Sequence, residues 1–440
     1  MRRLWLVELA LVAFVPAHAG AAADDARVLT LDGALALAKK NSWALVAERA
    51  RLTQAETNVA LAWALLLPTV AAQGRYTRNY KEAHLGPPGD SLFLQPLNQL
   101  DAALSFNAPL IVPAAYPRLE SIKADVRAAQ ANREISENTL LFTVARAFYA
   151  AAFADELVGA RRSSLETGRA TLAIANKRFS AGTVTNVDVN RAELALLRVE
   201  QLEREARHAR NQAYRALGTL IRIELPFKVV APTVVPQAPV AESEKADVPQ
   251  AAAAGTVKAV LPGRPELRSL EMLRDAADER RRTDLLKWAP TLSAFGNARL
   301  FNYDNFVRDR YSWALGLQLD WVLFDGGVRD AQRRQAAAEI AEAEARAALL
   351  QDNIRDDLAN ATSLVETKQY ALDTATRSVA LARRTLDLLR TQYEAGTVTQ
   401  VDLLQAQDGL VGAQELLVQS HLDVAVADLA LRGPKPTRTR

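Results

Sequence analysis

The stretch "FSAGTVTNVD", Phe179 to Asp188, returns as "YEAGTVTQVD", Tyr393 to Asp402, with its glycines 214 residues apart. In each copy the glycine, Gly182 or Gly396, closes a long run of mixed polar and apolar residues. It suits the left-handed C′ position that ends a helix. Thr185 and Thr399 then stand as N-caps, with Asp188 and Asp402 three residues on, the spacing of a capping box. Val184 with Val189, and Val398 with Leu403, fit the hydrophobic staple over the same helix start. The phrase therefore predicts a tight turn that reverses one helix into the next, used twice.

Outward from the turns the likeness continues. At the same offset Leu172 meets Leu386, Ala192 meets Ala406, Leu196 meets Leu410 and Leu217 meets Leu431. Upstream, "LLLPTVAAQG" (Leu65 to Gly74) resembles "KWAPTLSAFG" (Lys287 to Gly296), and "APLIVP" stands where "WVLFDG" stands. The chain reads as an internal duplication over residues 28–225 and 262–433. Residues 226–261 are rich in Pro and Ala without periodicity and read as a linker.

Each half is expected to run helix, strand, strand, very long helix, turn, long helix. Leu358, Val365, Leu372, Val379, Leu386 and Tyr393 recur every seven residues, and Ala361, Ala375, Ala382 and Leu389 complete a seam broken by Lys368. Val144, Ala151, Val158, Leu165, Leu172 and Phe179 repeat it in the first half. Sustained heptads with small seam residues predict closely packed coiled coils. Expected helices cover 114–180 and 185–218, then 328–395 and 399–431. From Arg329 to Tyr393 a helix would run roughly 100 Å at about 1.5 Å per residue. That is about three bilayer cores, and the run is heavily charged, so it stands in water.

Two pairs of segments instead alternate with period two. Leu100, Leu104, Phe106 and Leu110 interleave with Asp101, Ser105 and Asn107; Trp313, Leu315, Leu317 and Leu319 interleave with Ser312, Gly316, Gln318 and Asp320. Strands are expected at 69–80, 100–110, 291–303 and 312–323. Such strands suit a membrane barrel, apolar toward lipid and polar toward a lumen; a half-buried sheet in a soluble domain uses the same alternation. No amphipathic helix is spare to cover an apolar sheet face, and Trp313, Trp321, Tyr76 and Tyr80 suit a membrane interface, which favours the barrel. Four strands cannot close one, and open edges are not tolerated in lipid. The chain must then associate: two copies give eight strands, three give twelve, and a water-filled conduit favours three.

Composition agrees with a folded exported protein. Of 440 residues 49% are apolar and 24% charged, and the net charge of +3 is too small to argue for nucleic acid. "MRR", the apolar "LWLVELALVAFV" and "AHA" (Ala17 to Ala19) read as a secretory signal over 1–19. The basic end at 434–440 reads as a solvated tail. With no cysteine, disulfides are excluded. His84, His208 and His421 show no metal-ligand spacing, and no phosphate loop, GxSxG or HExxH occurs. "DGG" at Asp325 to Gly327 reads as a strand-to-helix turn. No enzyme, cofactor or metal is expected.

The duplicated "AGTVT.VD" turns, "LLLP" and "KWAP" before a strand, "LFDGG" (Leu323 to Gly327) after one, and "RPEL" (Arg264 to Leu267) opening the second half resemble the TolC-like family of outer-membrane efflux channels. The resemblance covers nearly the whole chain after the signal. It implies a homotrimer with a twelve-stranded barrel in outer-membrane lipid and an α-helical coiled-coil barrel through the periplasm. It also implies a partner periplasmic adaptor and an inner-membrane pump that expels solutes or proteins. Carried over, Gly182, Thr183, Thr185, Gly396, Thr397 and Thr399 form the periplasmic tip and meet the adaptor. Asp402 would face the pore as a ring of three carboxylates, and Tyr393 and Asp188 match positions that hold the entrance shut. Gln405 stands where a second acidic ring can occur, and Val398 where an arginine can latch the closed state. The rival reading is an exported coiled-coil structural or adhesive protein with a small soluble sheet.

Overall fold

A computed structural model describes residues 27–85, 92–230, 263–303 and 309–432. The expected signal at 1–19, most of the linker and the tail at 434–440 lie outside these. In chain order the elements are β1 (Arg27–Leu29), α1 (Leu31–Asn41), α2 (Trp43–Ala64), β2 (Thr69–Arg78), β3 (Ala83–Leu85), β4 (Leu92–Gln95) and β5 (Asn98–Ile111). Then come α3 (Ala115–Ser180), α4 (Asn186–Ile221), β6 (Phe227–Val229), α5 (Pro265–Leu286), β7 (Thr291–Phe301), β8 (Tyr311–Asp320), α6 (Val328–Ala395) and α7 (Gln400–Arg432).

α3 and α6 have 66 and 68 residues, each roughly 100 Å of rod. Each reverses into a shorter antiparallel partner, α4 or α7, and the heptad seam is what joins them. Along α6 the positions Ile354, Val365, Ala375, Leu386 and Tyr393 are buried. The first seam ends differently from expectation. Phe179, equivalent to Tyr393, is 46% exposed, whereas Tyr393 is covered by Leu386, Leu403 and the Arg178 guanidinium.

The main core lies midway, where α1 packs on α3 and α4. Phe148, Leu217 and Ile221 are fully buried there with Leu35 and Phe227. Here the linker reading needs correction. Its first residues form β6, which pairs parallel with β1 through Arg27↔Phe227 and Leu29↔Val229. Phe227 and Val229 are buried, and the Val229 amide donates to the Tyr214 hydroxyl at 3.2 Å. Alternate burial holds this segment where Pro-rich composition suggested none.

The four long strands make one antiparallel sheet in the order β2-β5-β7-β8. Val70 pairs with Phe106, Phe106 with Gly296, and Gly296 with Leu315, so the apolar positions of all four strands share a face. Ala71, Ser105, Asn297 and Ala314 line up on the other, beside Arg75, Asp101 and Arg299. The apolar face is bare: Val70, Leu104, Leu300, Trp313, Leu315 and Leu317 are each more than half exposed. β8 stops at Asp320, short of the expected 323, and among the described residues its outer edge has no strand beside it. The expected tails beyond Arg78 and Phe301 likewise leave the ladder, and the loop before β5 carries a small hairpin, β3–β4, that alternation did not show. Below β8, Asp325 accepts the Gly327 amide at 3.1 Å and the Arg329 amide at 3.0 Å. This "DGG" segment is thus a strand-to-helix turn starting α6. Among the described residues no helix is long and apolar enough to cross a membrane.

Candidate functional site at the helical tip

The two reversals are built alike. Gly182 and Gly396 have φ of 71° and 81°, a region that costs other residues about 1–2 kcal/mol. The Gly182 amide donates to the Phe179 carbonyl at 2.9 Å and the Thr183 amide to the Arg178 carbonyl at 3.0 Å. Gly396 and Thr397 do the same to Tyr393 and Gln392, both at 3.0 Å. This is the paired-bond Schellman closure, which satisfies the last carbonyls of a helix. The Thr183 and Thr397 hydroxyls add bonds of 3.0 Å to the same Arg178 and Gln392 carbonyls.

The next helices start on the expected boxes. The Thr185 amide and hydroxyl donate to Asp188 at 3.1 and 3.0 Å, and those of Thr399 donate to Asp402 at 3.0 and 2.6 Å. The Asp402 amide returns a bond to the Thr399 hydroxyl at 3.3 Å. These bonds, from the Thr399 hydroxyl first and its amide second, pull the Asp402 carboxyl below the ordinary aspartate value. The carboxylate is only partly covered, so it caps the helix and still presents its charge outward. Gln405, one turn on, is exposed.

Between the two turns stands a link that sequence reading missed. Arg178, in the last turn of α3, sends Nη1 to the backbone carbonyl of Tyr393 at the end of α6. Its guanidinium lies 4.5 Å from the centre of the Tyr393 ring. A cation over an aromatic face, also meeting the negative end of a helix, is favourable on both counts. Tyr393 is 1% exposed, packed with Leu386 and Leu403, and its hydroxyl finds no partner. Burial raises the pKa of that hydroxyl; Arg178 opposes the rise and the Asp188 charge adds to it. Gln400, the first residue of α7, is also buried, with neither amide atom partnered. Arg178 could have been sought as a cation in a last helical turn whose counterpart, Gln392, is uncharged. Its meaning lies in a residue 215 positions away.

The link at the tip continues upward as a side-by-side contact of α3 with α7. Arg161, buried, meets Glu415 at 2.6 Å; Ser164 donates to Gln414 at 3.3 Å; Gln407 bonds Thr171. Higher still, His421 stacks on Phe153 and meets Glu156 at 3.1 Å. The two hairpins thus form one slab with a sheet at one end and two capped turns at the other.

Residues 34–221 and 256–433 match the family described as outer membrane efflux protein. The chain belongs to that family. The members of the outer membrane efflux protein family are channels of the outer membrane that extend into the periplasm, and this is where the chain resides. The outer membrane efflux protein BepC of Brucella suis is 23% identical over 408 residues, covering 91% of this chain and 84% of that protein. The alkaline protease secretion protein AprF of Pseudomonas aeruginosa is 24% identical over 348 residues, 75% and 68% of the two chains. Among solved structures, the outer membrane protein VceC of Vibrio cholerae superposes with a TM-score of 0.73 at 17% identity, covering 91% of this chain and 94% of that one. The efflux-protein fold therefore extends from the sheet to the turns.

Proposed function

We propose that three copies of this chain join their sheets into one twelve-stranded barrel and their hairpins into one periplasmic tunnel, a passive conduit for efflux or for type I secretion. A periplasmic adaptor and an inner-membrane pump supply its cargo and its energy. The observation that carries this is the sheet: four strands with one bare apolar face, one polar face and, among the described residues, no strand beside the outer edges of β2 and β8. Such a sheet is stable in lipid only when neighbours close it, and twelve strands leave a polar lumen where eight would be filled by side chains. The rival reading, a soluble sheet on a coiled coil, requires something to cover that face, and its large side chains stay exposed.

In this reading the two turns are the periplasmic entrance. Asp402 contributes to a ring of three carboxylates that draws cations, with Gln405 supplying a neutral ring one turn deeper. Tyr393, Asp188 and Arg178 hold the hairpins together at the entrance, and Gly182, Thr183, Thr185, Gly396, Thr397 and Thr399 meet the adaptor. Support comes from the shared geometry of the two turns and from the outward charge on a capping carboxylate. The test is reconstitution of the purified protein into planar bilayers. Discrete, stable conductance steps are expected; a protein that folds, stays in the aqueous phase and never conducts would overturn the proposal.

A further inference from the structure

The duplication makes the β5–β7 pairing a junction between the two repeats inside one chain. Resting on the trimeric reading above, we infer that the seam between subunits is a copy of this junction, with β8 of one chain pairing antiparallel to β2 of the next in a defined register. The register follows from equivalences already present. α2 and α5 both have 22 residues and begin 222 apart, at Trp43 and Pro265. β2 and β7 keep that spacing, at Thr69 and Thr291. Within the hairpins Thr69 faces Asn107 and Thr291 faces Asp320, so β5 maps onto β8 with a spacing of 213 (320 less 107).

Carrying β5 forward by 213 and β7 back by 222 moves the observed pairs Leu104↔Ala298, Ser105↔Asn297 and Phe106↔Gly296 onto the seam. They become Leu317 against the partner's Tyr76, Gln318 against the partner's Arg75, and Leu319 against the partner's Gly74. Three features of the chain fit this register. First, the face is right: Leu317 and Leu319 belong to the apolar face of β8, and Tyr76 and Gly74 to that of β2, whereas a slip of one residue would set lipid-facing side chains against the lumen. Second, glycine matches glycine. Gly296 lies between Leu315 and Phe106 of its two neighbouring strands, with Leu315 Cδ1 3.3 Å and Phe106 Cβ 3.8 Å from where a side chain would begin, while Gly74 has open space there, part of which the neighbouring Leu319 takes. Third, charge is complementary, since the partner's Arg75 comes beside Gln318 and diagonal to Asp320 on the lumen face.

The helices below repeat the pattern. α5 is wedged between α3 and α6, with Ser269 bonding Asn132 at 2.8 Å and Arg280 reaching both Asp125 and Glu339. Pro265, Ser269, Ala276 and Thr283 are buried in that wedge. Their equivalents in α2, 222 residues earlier, are Trp43, Ala47, Gln54 and Leu61, and all four are exposed, Trp43 at 65% and Leu61 at 60%. Leu45 and Ala62, by contrast, are buried like their counterparts Leu267 and Asp284. α2 is therefore a wedge with one side filled, and its open side receives α6 of the neighbouring copy.

The chain has no cysteine, so disulfide trapping reports on the seam directly. The full chain carrying Gln318→Cys and Arg75→Cys is oxidised in membranes and run without reductant. Opposite residues on paired strands lie within disulfide range, whereas a displacement of two residues puts them about 7–8 Å apart, too far to bridge without backbone movement. The expected result is a shift of the monomer band to covalent dimer and trimer, and little shift when Gln318→Cys is combined with Gln73→Cys or Thr77→Cys. The pair Leu317→Cys with Tyr76→Cys tests the same register on the lipid face should the first variant fail to assemble. Stronger trapping by a shifted pair, or no trapping by either matched pair in a protein that is trimeric by native mass, overturns the register while leaving the trimer. A cysteine-free chain that is monomeric overturns both.

Discussion

Replacing Arg178 by alanine removes the side chain that ties the end of α3 to the end of α6. Two contacts with α6 go with it, a charge-assisted bond to the Tyr393 carbonyl and a cation–π contact with the ring at 4.5 Å, along with a long bond of 3.5 Å from Nε to the Thr183 hydroxyl in its own turn. Hydrogen bonds to charged groups contribute about 1.5–3 kcal/mol, and cation–π contacts at partly open sites about 0.5–1 kcal/mol. Because Arg178 is only partly buried, the lower part of the combined range applies, about 2 kcal/mol. At about 1.4 kcal/mol per factor of ten this corresponds to roughly thirtyfold in the opening equilibrium of the second turn. Native-state hydrogen exchange reads it out. The amides of Gly396 and Thr397, bonded to Tyr393 and Gln392, should exchange roughly thirty times faster in Arg178→Ala. That of Gly182 bonds the Phe179 carbonyl within the first turn and serves as the internal control. Arg178→Lys keeps the charge near the helix end without the planar stack and should fall between. Unchanged exchange at Gly396 and Thr397, or equal acceleration at both turns, would refute the link.

Asp402→Asn should weaken blockage of the conductance by multivalent cations, whereas a residue serving only as a cap would leave it unchanged. The same blockage should resist acid: the folded pKa of Asp402 is depressed by Thr399, so the charged cap persists below the ordinary aspartate value and is lost as pH falls through the folded one. Blockage measured against pH should therefore have its midpoint below that of an unperturbed carboxylate. On the sheet, Leu317→Arg puts a charge on the lipid face and should destabilise the assembly by about 2–4 kcal/mol near mid-membrane. This would show as a lower temperature for dissociation of the detergent-resistant oligomer, while Ala71→Arg, on the lumen face of β2 opposite Ser105, should leave that temperature nearly unchanged.

Much of this architecture could be read from local chemistry. The turns were legible because glycine at positive φ and a threonine with an aspartate three residues on are each local solutions to the orphaned groups of a helix end. The long helices showed in heptads and the strands in alternation, since one-sided burial imposes a period. What escaped depends on contacts between distant parts. The pairing of β5 with β7 joins residues about two hundred positions apart, and no short pattern encodes it. The three-residue strands β1 and β6 are too short to show a period, so Phe227 and Val229 were hidden in Pro-rich surroundings. Phe179 and Tyr393 look equivalent in sequence, yet one is exposed and the other buried, because only the second has an arginine and Leu403 arranged around it. Arg178 itself was one cation among many until its partner was in place.

The account stands on closure of the sheet by other copies of the same chain. Native mass spectrometry of the protein extracted from membranes in mild detergent counts the subunits directly. Three chains per particle are expected, with detergent required to keep them in solution. A single folded chain, dissolved without detergent, would contradict it.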